Sequence, residues 1–284
     1  TLSAPNAAYF GIPLIGNYTA GRTDSGFQGQ IDEVRVYNRA LGASEIATLY
    51  QAQGAIAGAS QSPGTLFSGL LGWWTFDGKD ITTSFVDRSG NGFNGYLIGT
   101  NNATSSRETI GKLGQGFSFA GQNTGAINLG TSASLTPTNF TIAGWVYYSS
   151  TGYCYNYIYS NSRDVSGGNG IDFKIYCNGS LNGSIWNAGS SVAVGVSVQA
   201  YVGKWVHVAF TADGSFLRMY VNGALAATQA QTISPGTPSL ATCIGSMGTG
   251  GCASFTLNGK LDDVRLYNRA LSASEIKQLY NMGK

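Results

Sequence analysis

The chain has 284 residues, of which 43% are hydrophobic and only 11% are charged, and its formal net charge is +2. It is long enough to bury a substantial core, and the lack of any Lys- or Arg-rich run excludes the basic footprint typical of nucleic-acid-binding proteins. No window holds the run of about 18 apolar residues that a membrane-spanning helix needs, so we expect no membrane insertion. With 41 glycines, this composition indicates an all-β extracellular protein, whose export signal we expect outside this chain.

A phrase of 22 residues occurs twice, at positions 29–50 and 259–280, and 15 of the 22 positions are identical. Asp32 matches Asp262, a spacing of 230 residues, which is the length of a domain rather than of a solenoid repeat. The repeat predicts tandem domains. Residues 1–51 would be the C-terminal part of a truncated upstream domain, 52–65 a small-residue linker, and 66–284 one complete domain.

The complete domain is rich in short β-branched and aromatic runs separated by Gly and Asn. The clearest is "KWVHVAFTADGSFLRMYVNGALAAT", in which Asp213-Gly214 and Asn222-Gly223 are strong hairpin turns between apolar runs. It predicts three consecutive antiparallel strands. Many short strands at this spacing predict a two-sheet antiparallel β-sandwich of the jelly-roll type.

One short helix is predicted at the C-terminus, in "LSASEIKQLY". Ser272 and Glu275 have the N-cap and N3 spacing of a capping box. Ile276, Leu279 and Tyr280 recur at helical spacing and form one apolar face.

Four cysteines, an even number in a chain with a secreted composition, favour two disulfides. Their order suggests Cys154–Cys177 and Cys243–Cys252, although four cysteines allow three pairings. Four buried free thiols are the alternative.

Several motifs together resemble a known family: "GWWTFDGKDITTSFVDRSGNGFNG", "GQGFSFAGQNTGAINLG", "FTIAGWVYY", "WVHVAFTADGSFLRMYVNG" and "GKLDDVRLYNRALSASEI". Their order is similar to that of LamG-like (laminin G type) domains, in the bacterial, pentraxin-related branch of the concanavalin A-like lectin/glucanase superfamily. The resemblance covers residues 66–284, and its last motif also covers 29–50. It implies a concanavalin A-like jelly roll, a fold that hosts lectins, glycosidases and adhesion modules.

Catalysis is not expected. A retaining glycosidase needs two carboxyl groups about 5–5.5 Å apart, and none of the four glutamates lies in a central strand of the complete domain. His207, the single histidine, alternates with valines in "WVHVAF" and is interpreted as a structural strand residue.

The resemblance implies a structural Ca²⁺ that fastens an N-terminal loop to the last strand. Calcium prefers six to eight oxygen ligands. Simple alternation places Asp262 on the same face as Val264 and Leu266, where a carboxylate needs a metal or hydrogen bonds. An all-protein polar network is the alternative. The predicted ligands are Asp77, Asp87, Asn91 and Asp262.

A glycan site is predicted in "STGYCYNYIYSNSRD", where Tyr153, Tyr155, Tyr157 and Tyr159 alternate onto one side of an extended segment. Tyrosine and tryptophan rings beside amide and guanidinium groups suit the apolar face and the hydroxyls of a sugar. The alternative is that the tyrosines form a solvated sheet face or half of the core. The predicted ligand-binding residues are Tyr153, Tyr155, Tyr157, Arg163, Trp186 and Asn187.

These features predict a non-catalytic carbohydrate-binding or adhesion module from a tandem LamG-like protein of the cell surface, with a glycan or a cell-surface protein as partner. Residues 1–51 would pair with an upstream segment or with another copy. The first alternative is a structural subunit of a surface layer, filament or appendage without a glycan ligand. A lesser alternative is the accessory module of a polysaccharide-degrading enzyme.

Overall fold

The computed structural model describes residues 66–81, 84–99, 107–121, 125–149, 154–162, 168–252 and 254–284. The predicted upstream segment 1–51 and linker 52–65 lie outside these residues. Single 3₁₀ turns lie at Gly78–Asp80, Ala133–Leu135, Gln199–Tyr201 and Thr249–Gly251. The strands and the helix are β1 (Leu70–Trp74), β2 (Tyr96–Ile98), β3 (Glu108–Ile110), β4 (Gln115–Ala120), β5 (Ala126–Asn128), β6 (Phe140–Tyr148), β7 (Tyr155–Ser160), β8 (Gly170–Tyr176), β9 (Ser180–Asn187), β10 (Ser190–Ser197), β11 (Trp205–Ala212), β12 (Phe216–Val221), β13 (Ala224–Ala230), β14 (Cys243–Ile244), β15 (Asn258–Tyr267) and α1 (Ala273–Met282).

The strands form two antiparallel sheets, as predicted. The eight-stranded sheet has the order β13-β12-β11-β6-β15-β4-β3, with β1 paired to β15, and the seven-stranded sheet has the order β10-β9-β8-β7-β14-β5-β2. The predicted three-strand meander is β11–β13, and Asn222 and Gly223 both take positive φ in its second turn (49° and 75°). The sandwich prediction is confirmed.

The core lies between the sheets and is rich in aromatic rings. Phe85 and Phe117 meet edge to face with centroids 4.9 Å apart, and Phe140 meets Phe210 in the same way at 5.0 Å. Gly183 on β9 leaves space for the Phe210 ring, which would lie 2.6 Å from an added Cβ. At this point the Phe210 ring of the eight-stranded sheet packs directly on the backbone of the seven-stranded sheet.

Strand β15 carries a bulge at Asp262–Asp263, where Asp263 has a φ of 51°. Because of this extra residue, Leu261 and Val264 both belong to the core, while Asp262 leaves it. The prediction that Asp262 shares a face with Val264 is therefore wrong. Alternation in a strand holds only while no residue is inserted.

Asp263 forms a buried ion pair with Arg265, 3.1 Å between Oδ1 and Nη2, and accepts a hydrogen bond from Nε1 of Trp73 at 2.5 Å. The guanidinium of Arg265 also lies over the Trp73 ring, 4.4 Å from its centroid. Removing one partner of a buried pair costs about 3–5 kcal/mol. This group fastens β1 to β15.

Helix α1 covers the outer face of the eight-stranded sheet. Ile276 and Leu279 pack on a cluster that includes the small side chains of Ala143 and Ala209. The predicted capping box is present: the Glu275 amide donates to Oγ of Ser272, and the Ser272 amide donates to Oε2 of Glu275.

Both predicted disulfides, Cys154–Cys177 and Cys243–Cys252, are present. The first joins the ends of β7 and β8, and the second closes the loop between β14 and β15. Among the described residues, no helix is long and apolar enough to cross a membrane.

Ser272→Ala is expected to lower the free energy of unfolding by about 1 kcal/mol, because it leaves the Glu275 amide without its cap. Urea denaturation measures the change. Ser274→Ala, which removes a hydroxyl from the same turn but no cap, should leave the stability nearly unchanged. Equal losses in the two variants would contradict the capping role.

Candidate functional site

The side of the seven-stranded sheet that faces away from the core is polar. On β8, Ile171, Phe173 and Ile175 enter the core, so the residues between them point outward. Pairing extends this pattern across four strands, which define what we call the polar face. Its residues are Tyr155, Tyr157 and Ser160 on β7, Asp172, Lys174 and Tyr176 on β8, Ser180, Asn182, Ser184 and Trp186 on β9, and Ser191, Ala193, Gly195 and Ser197 on β10.

Tyr155 and Tyr157 lie on the polar face, as predicted, with their rings stacked 6.5 Å apart. Tyr159 does not. A register shift at Ile158 turns both Ile158 and Tyr159 into the core, where Tyr159 donates to the Leu135 carbonyl at 2.5 Å. The prediction that Tyr159 shares the side of the other tyrosines is wrong because of this bulge.

Lys174 lies at the centre of the aromatic end of the face. It is 1% exposed, and its Nζ lies 5.0, 5.4 and 5.8 Å from the ring centroids of Tyr157, Tyr176 and Tyr155. Nζ also donates to the hydroxyl of Tyr157 at 3.3 Å. Each cation–π contact contributes about 0.5–2 kcal/mol, so the ammonium group holds the three rings in place.

The middle of the polar face is buried. Oγ of Ser160 donates to Oδ1 of Asp172 at 2.6 Å and accepts from the Gly248 amide at 3.3 Å. The loop between β14 and β15, which contains Gly248, therefore folds over this row. The predicted site missed Asp172, Lys174 and Tyr176, although the alternation in "IDFKIY" places all three on one face.

Trp186 and Asn187 lie at the opposite end of the face. Trp186 pairs with Gly170 on β8, whereas Tyr155 pairs with Tyr176 on the same strand. Gly170 and Tyr176 are six residues apart, so the two ends of the face are about 20 Å apart along the strand. Nε1 of Trp186 donates to Oγ of Ser184 at 3.3 Å, whereas Asn187 turns aside to donate to the Ser234 carbonyl. The predicted residues thus form two ends rather than one cluster. Tyr153 and Arg163 lie outside the described residues.

Between these ends, β10 leaves part of the polar face open. Its outward residues are small and exposed: Ser191, Ala193, Gly195 and Ser197. Glycine in a strand often marks a place where a ligand approaches the backbone closely. A ligand lying along β9 and β10 would meet hydroxyls, the Asn182 amide and the partly exposed ring of Trp186.

Of the predicted calcium ligands, Asp87 and Asn91 fasten their loop to strand β1. The carboxylate of Asp87 accepts four hydrogen bonds, from the amides of Trp73, Ser89 and Phe93 and from the Ser89 hydroxyl, at 2.8–3.0 Å. The Asn91 amide nitrogen donates to the carbonyls of Leu70 and Leu71. All of these contacts join Asp87 and Asn91 to other protein groups.

Asp262 and Asp77 hold the turn between β3 and β4 from two sides. Oδ2 of Asp262 accepts from the amides of Lys112 and Leu113 at 2.6 and 2.7 Å, and Oδ1 of Asp77 accepts from the Gln115 amide at 3.0 Å. Burial raises the pKa of Asp262 to about 7, and the charges of Asp263 and Asp77 add to the rise. Its Oδ1 is buried without a hydrogen-bond partner among the described residues.

This orphaned oxygen suits a cation, but the predicted set does not gather around it. Within the described ranges, no group of three or more His, Cys, Asp or Glu side chains lies close enough to hold a metal ion. The four predicted residues do not fit one calcium site. Calcium stays a prediction that rests on Asp77 and Asp262.

His207 lies under helix α1, with its ring 5.3 Å from that of Trp145 and 6.2 Å from that of Tyr280. Burial, with a smaller effect from the positive charge of Arg265, lowers the pKa of His207 to about 3. The imidazole is therefore neutral and enclosed, which fits a structural strand residue.

The glutamates within the described ranges have structural positions. Glu275 belongs to the capping box and accepts two hydrogen bonds from Arg269, at 2.6 and 3.0 Å. Glu108 lies on β3, at the edge of the eight-stranded sheet. On the described part of the polar face, Asp172 is the one carboxylate, and a retaining glycosidase requires a pair.

Two packed sheets with one polar, aromatic-edged outer face define a lectin-like β-sandwich. A laminin G-type sequence profile of the concanavalin A-like lectin/glucanases superfamily matches residues 2–47 and 119–277. These ranges exceed half of the chain, which therefore belongs to this superfamily, as the motifs indicated.

Solved structures with the same fold include sugar-containing ones. The binding domain of paraclostridial mosquitocidal protein 1 has a TM-score of 0.58 and 16% identity, covering 76% of this chain and 53% of its own. Domain 4 of an extracellular arabinanase from Geobacillus stearothermophilus, in complex with arabinotriose, has a TM-score of 0.55 and 17% identity, covering 76% and 99%. The ligand-binding domain of botulinum neurotoxin serotype D, in complex with N-acetylneuraminic acid, has a TM-score of 0.55 and 16% identity, covering 76% and 51%.

The match thus spans about half the length of these toxin domains and nearly all of the arabinanase domain. At these identities the likeness is one of fold. A search of curated protein sequences finds no match.

His207→Phe is expected to make the protein less sensitive to acid. The folded pKa near 3 lies below the unfolded value of about 6.5, so the unfolded state binds a proton first and stability falls as the pH drops below about 6.5. Between pH 6.5 and 5 this group removes roughly 2 kcal/mol, a loss that the variant would avoid because phenylalanine does not titrate.

Urea denaturation of both proteins at pH 7 and pH 5 measures this difference. The carboxylates titrate alike in the two proteins, so any difference between them in the loss of unfolding free energy from pH 7 to pH 5 is due to the histidine. Parallel losses in the wild type and the variant would contradict the buried neutral state.

Proposed function

We propose that the chain is a non-catalytic carbohydrate-binding module of an extracellular, cell-surface protein built from tandem LamG-like domains. The observation that carries the proposal is the polar face. The small exposed residues of β10 and the amide and hydroxyl groups of β9 form a row. This row runs along the strands from the end of the face that carries Tyr155 to the end that carries the indole of Trp186. Aromatic rings contact the apolar side of a sugar, and the amides and hydroxyls bind its hydroxyl groups.

The open part of the face suits an extended, linear glycan. About 20 Å separates the two aromatic ends along the strands. Gly195 lies near the middle of this open part. A Cβ at this position would lie 3.4 Å from Nδ2 of Asn182, so the glycine leaves the Asn182 amide accessible. The two sugar complexes of the same fold, with arabinotriose and with N-acetylneuraminic acid, support a glycan over a protein ligand.

Export from the cell is proposed on two grounds. Both disulfides belong to the folded domain, and such bonds persist in oxidising compartments. The chain also has few charges and many Ser, Thr and Asn residues, which suits a surface exposed to variable salt.

Isothermal titration with arabinotriose and N-acetylneuraminic acid, together with a glycan array, tests the proposal. Gly195→Gln, which places a long side chain in the open row, should weaken sugar binding at least tenfold, about 1.4 kcal/mol. Ala230→Gln, on the exposed edge strand β13 of the other sheet, is the matched control and should bind as the wild type does. The proposal would be overturned if the wild type bound none of the sugars tested.

A structural subunit of a surface layer or filament is the second candidate. The edge strands β10 ("SSVAVGVS") and β13 ("ALAATQA") carry no charged residue and no proline, the devices that usually protect a sheet edge from pairing with another chain. Analytical ultracentrifugation across a concentration series distinguishes the candidates. Self-association without sugar binding favours the subunit.

We also propose a structural Ca²⁺ between Asp77 and Asp262, where a cation would offset the burial of the unpartnered Oδ1. Calcium should then raise the melting temperature of the EDTA-treated protein, because a ligand that binds only the folded state stabilises it. Asp77→Asn should remove most of this rise, whereas Asp213→Asn, at a distant hairpin, should not. An unchanged melting temperature would exclude the metal.

A further inference from the structure

Phe255 has an unusual backbone for an exposed aromatic residue. Its φ is 54°, in the left-handed region that bulky side chains rarely adopt, and its side chain is 50% exposed. The flanking bonds impose this conformation, since the amide of Met247 donates to the Ser254 carbonyl and that of Leu257 to the Gly245 carbonyl. An aromatic ring kept in solvent at the expense of backbone strain is a reason to look for a ligand.

The ring of Phe255 completes a corner of the polar face. It meets Tyr155 edge to face, with centroids 5.2 Å apart, and Tyr155 in turn meets Tyr176 at 5.6 Å. Tyr155 is 37% exposed, so two rings reach solvent side by side. We call Tyr155, Tyr176 and Phe255 the aromatic corner.

The corner is fixed from three directions. Lys174 lies beneath it and contacts the rings of Tyr155 and Tyr176. The Cys154–Cys177 disulfide joins the residues next to those two tyrosines, and Cys243–Cys252 anchors the loop between β14 and β15 just before Phe255. A surface that is rigid before binding loses little entropy when it binds a ligand.

The size and surroundings of the corner indicate its ligand. A stable protein interface buries about 800 Å² on each partner, far more than two partly exposed rings can offer. Hydroxyl and amide groups of Ser180 and Asn182 continue the same face, which suits a ligand with one apolar side and many hydroxyls.

We propose that the aromatic corner is a stacking subsite for the apolar face of a pyranose ring, at one end of the glycan that lies along β9 and β10. This inference rests on the proposed carbohydrate-binding function and adds Phe255 and Tyr176 to it. Lys174 acts as a positioning residue, because it contacts the rings and not the sugar.

Phe255→Gly is the decisive variant, since glycine adopts positive φ without strain. Sugar affinity, measured by titration with the oligosaccharide that binds best on the array, should fall about tenfold, while the melting temperature stays equal or rises. Phe216→Ala, which removes a 42% exposed phenylalanine from the other sheet, is the matched control and should bind normally.

Two further variants keep the test independent of folding. Phe255→Trp retains a stacking ring and should preserve affinity, with a larger indole fluorescence change on titration with the same oligosaccharide than the wild type shows. Lys174→Met keeps the length of the side chain but loses the ammonium group, and should weaken binding less than Phe255→Gly does.

The outcomes separate the subsite from the function. If the wild type binds sugar and Phe255→Gly binds equally well, or the fluorescence of Phe255→Trp responds no more than that of the wild type, the subsite is refuted and the carbohydrate-binding function stands. If the wild type binds no sugar on the array, the proposed function fails and the subsite fails with it.

Discussion

Two adjacent aspartates at one bulge hold the domain together. The inserted residue in β15 lets Asp262 and Asp263 leave the core side by side, and each carboxylate ties down a different part of the chain. Asp262 holds the turn between β3 and β4, and Asp263, with Arg265, holds Trp73 on β1. Strand β15 consequently pairs with β4 along its first half and with β1 along its second half, while β6 pairs with both halves.

The repeated phrase acquires a physical meaning from this arrangement. In the described copy this phrase forms the bulged strand β15, the short connection after it and helix α1. Arg269, in the connection, donates to the Ser68 carbonyl and to Glu275 of the capping box. These contacts close the sandwich on the side away from the polar face. Recurrence of the same residues in the first copy is consistent with a role in folding rather than in ligand recognition.

The sequence was sufficient for the sandwich, the meander and the helix, because alternation, turn dipeptides and a capping box are local signals. The order of the cysteines suggested the two disulfides that the structure contains, but it left three pairings open. It misplaced Asp262 and Tyr159, both next to a bulge, since an inserted residue reverses the faces and leaves no local mark. It grouped Trp186 with Tyr155 and Tyr157 in one site but gave no indication that about 20 Å separates Trp186 from the tyrosine end of the face. Phe255 was missed because its contact with Tyr155 joins two residues that are far apart in the sequence.

The place of β15 in the sheet also has a consequence for how the chain folds. Its partners are β6, β4 and β1, so Leu70 pairs with Tyr267 across almost the entire domain. The eight-stranded sheet cannot close until residues 258–267 have emerged from the ribosome, and contacts this distant in sequence make folding slow. Until then β1 and β4 lack the partner that joins them to β6, and a sheet left incomplete in this way is compatible with passage through a narrow export channel. For an exported protein, late pairing of β15 would keep the chain incompletely folded, and therefore able to pass through the channel, until translocation is complete.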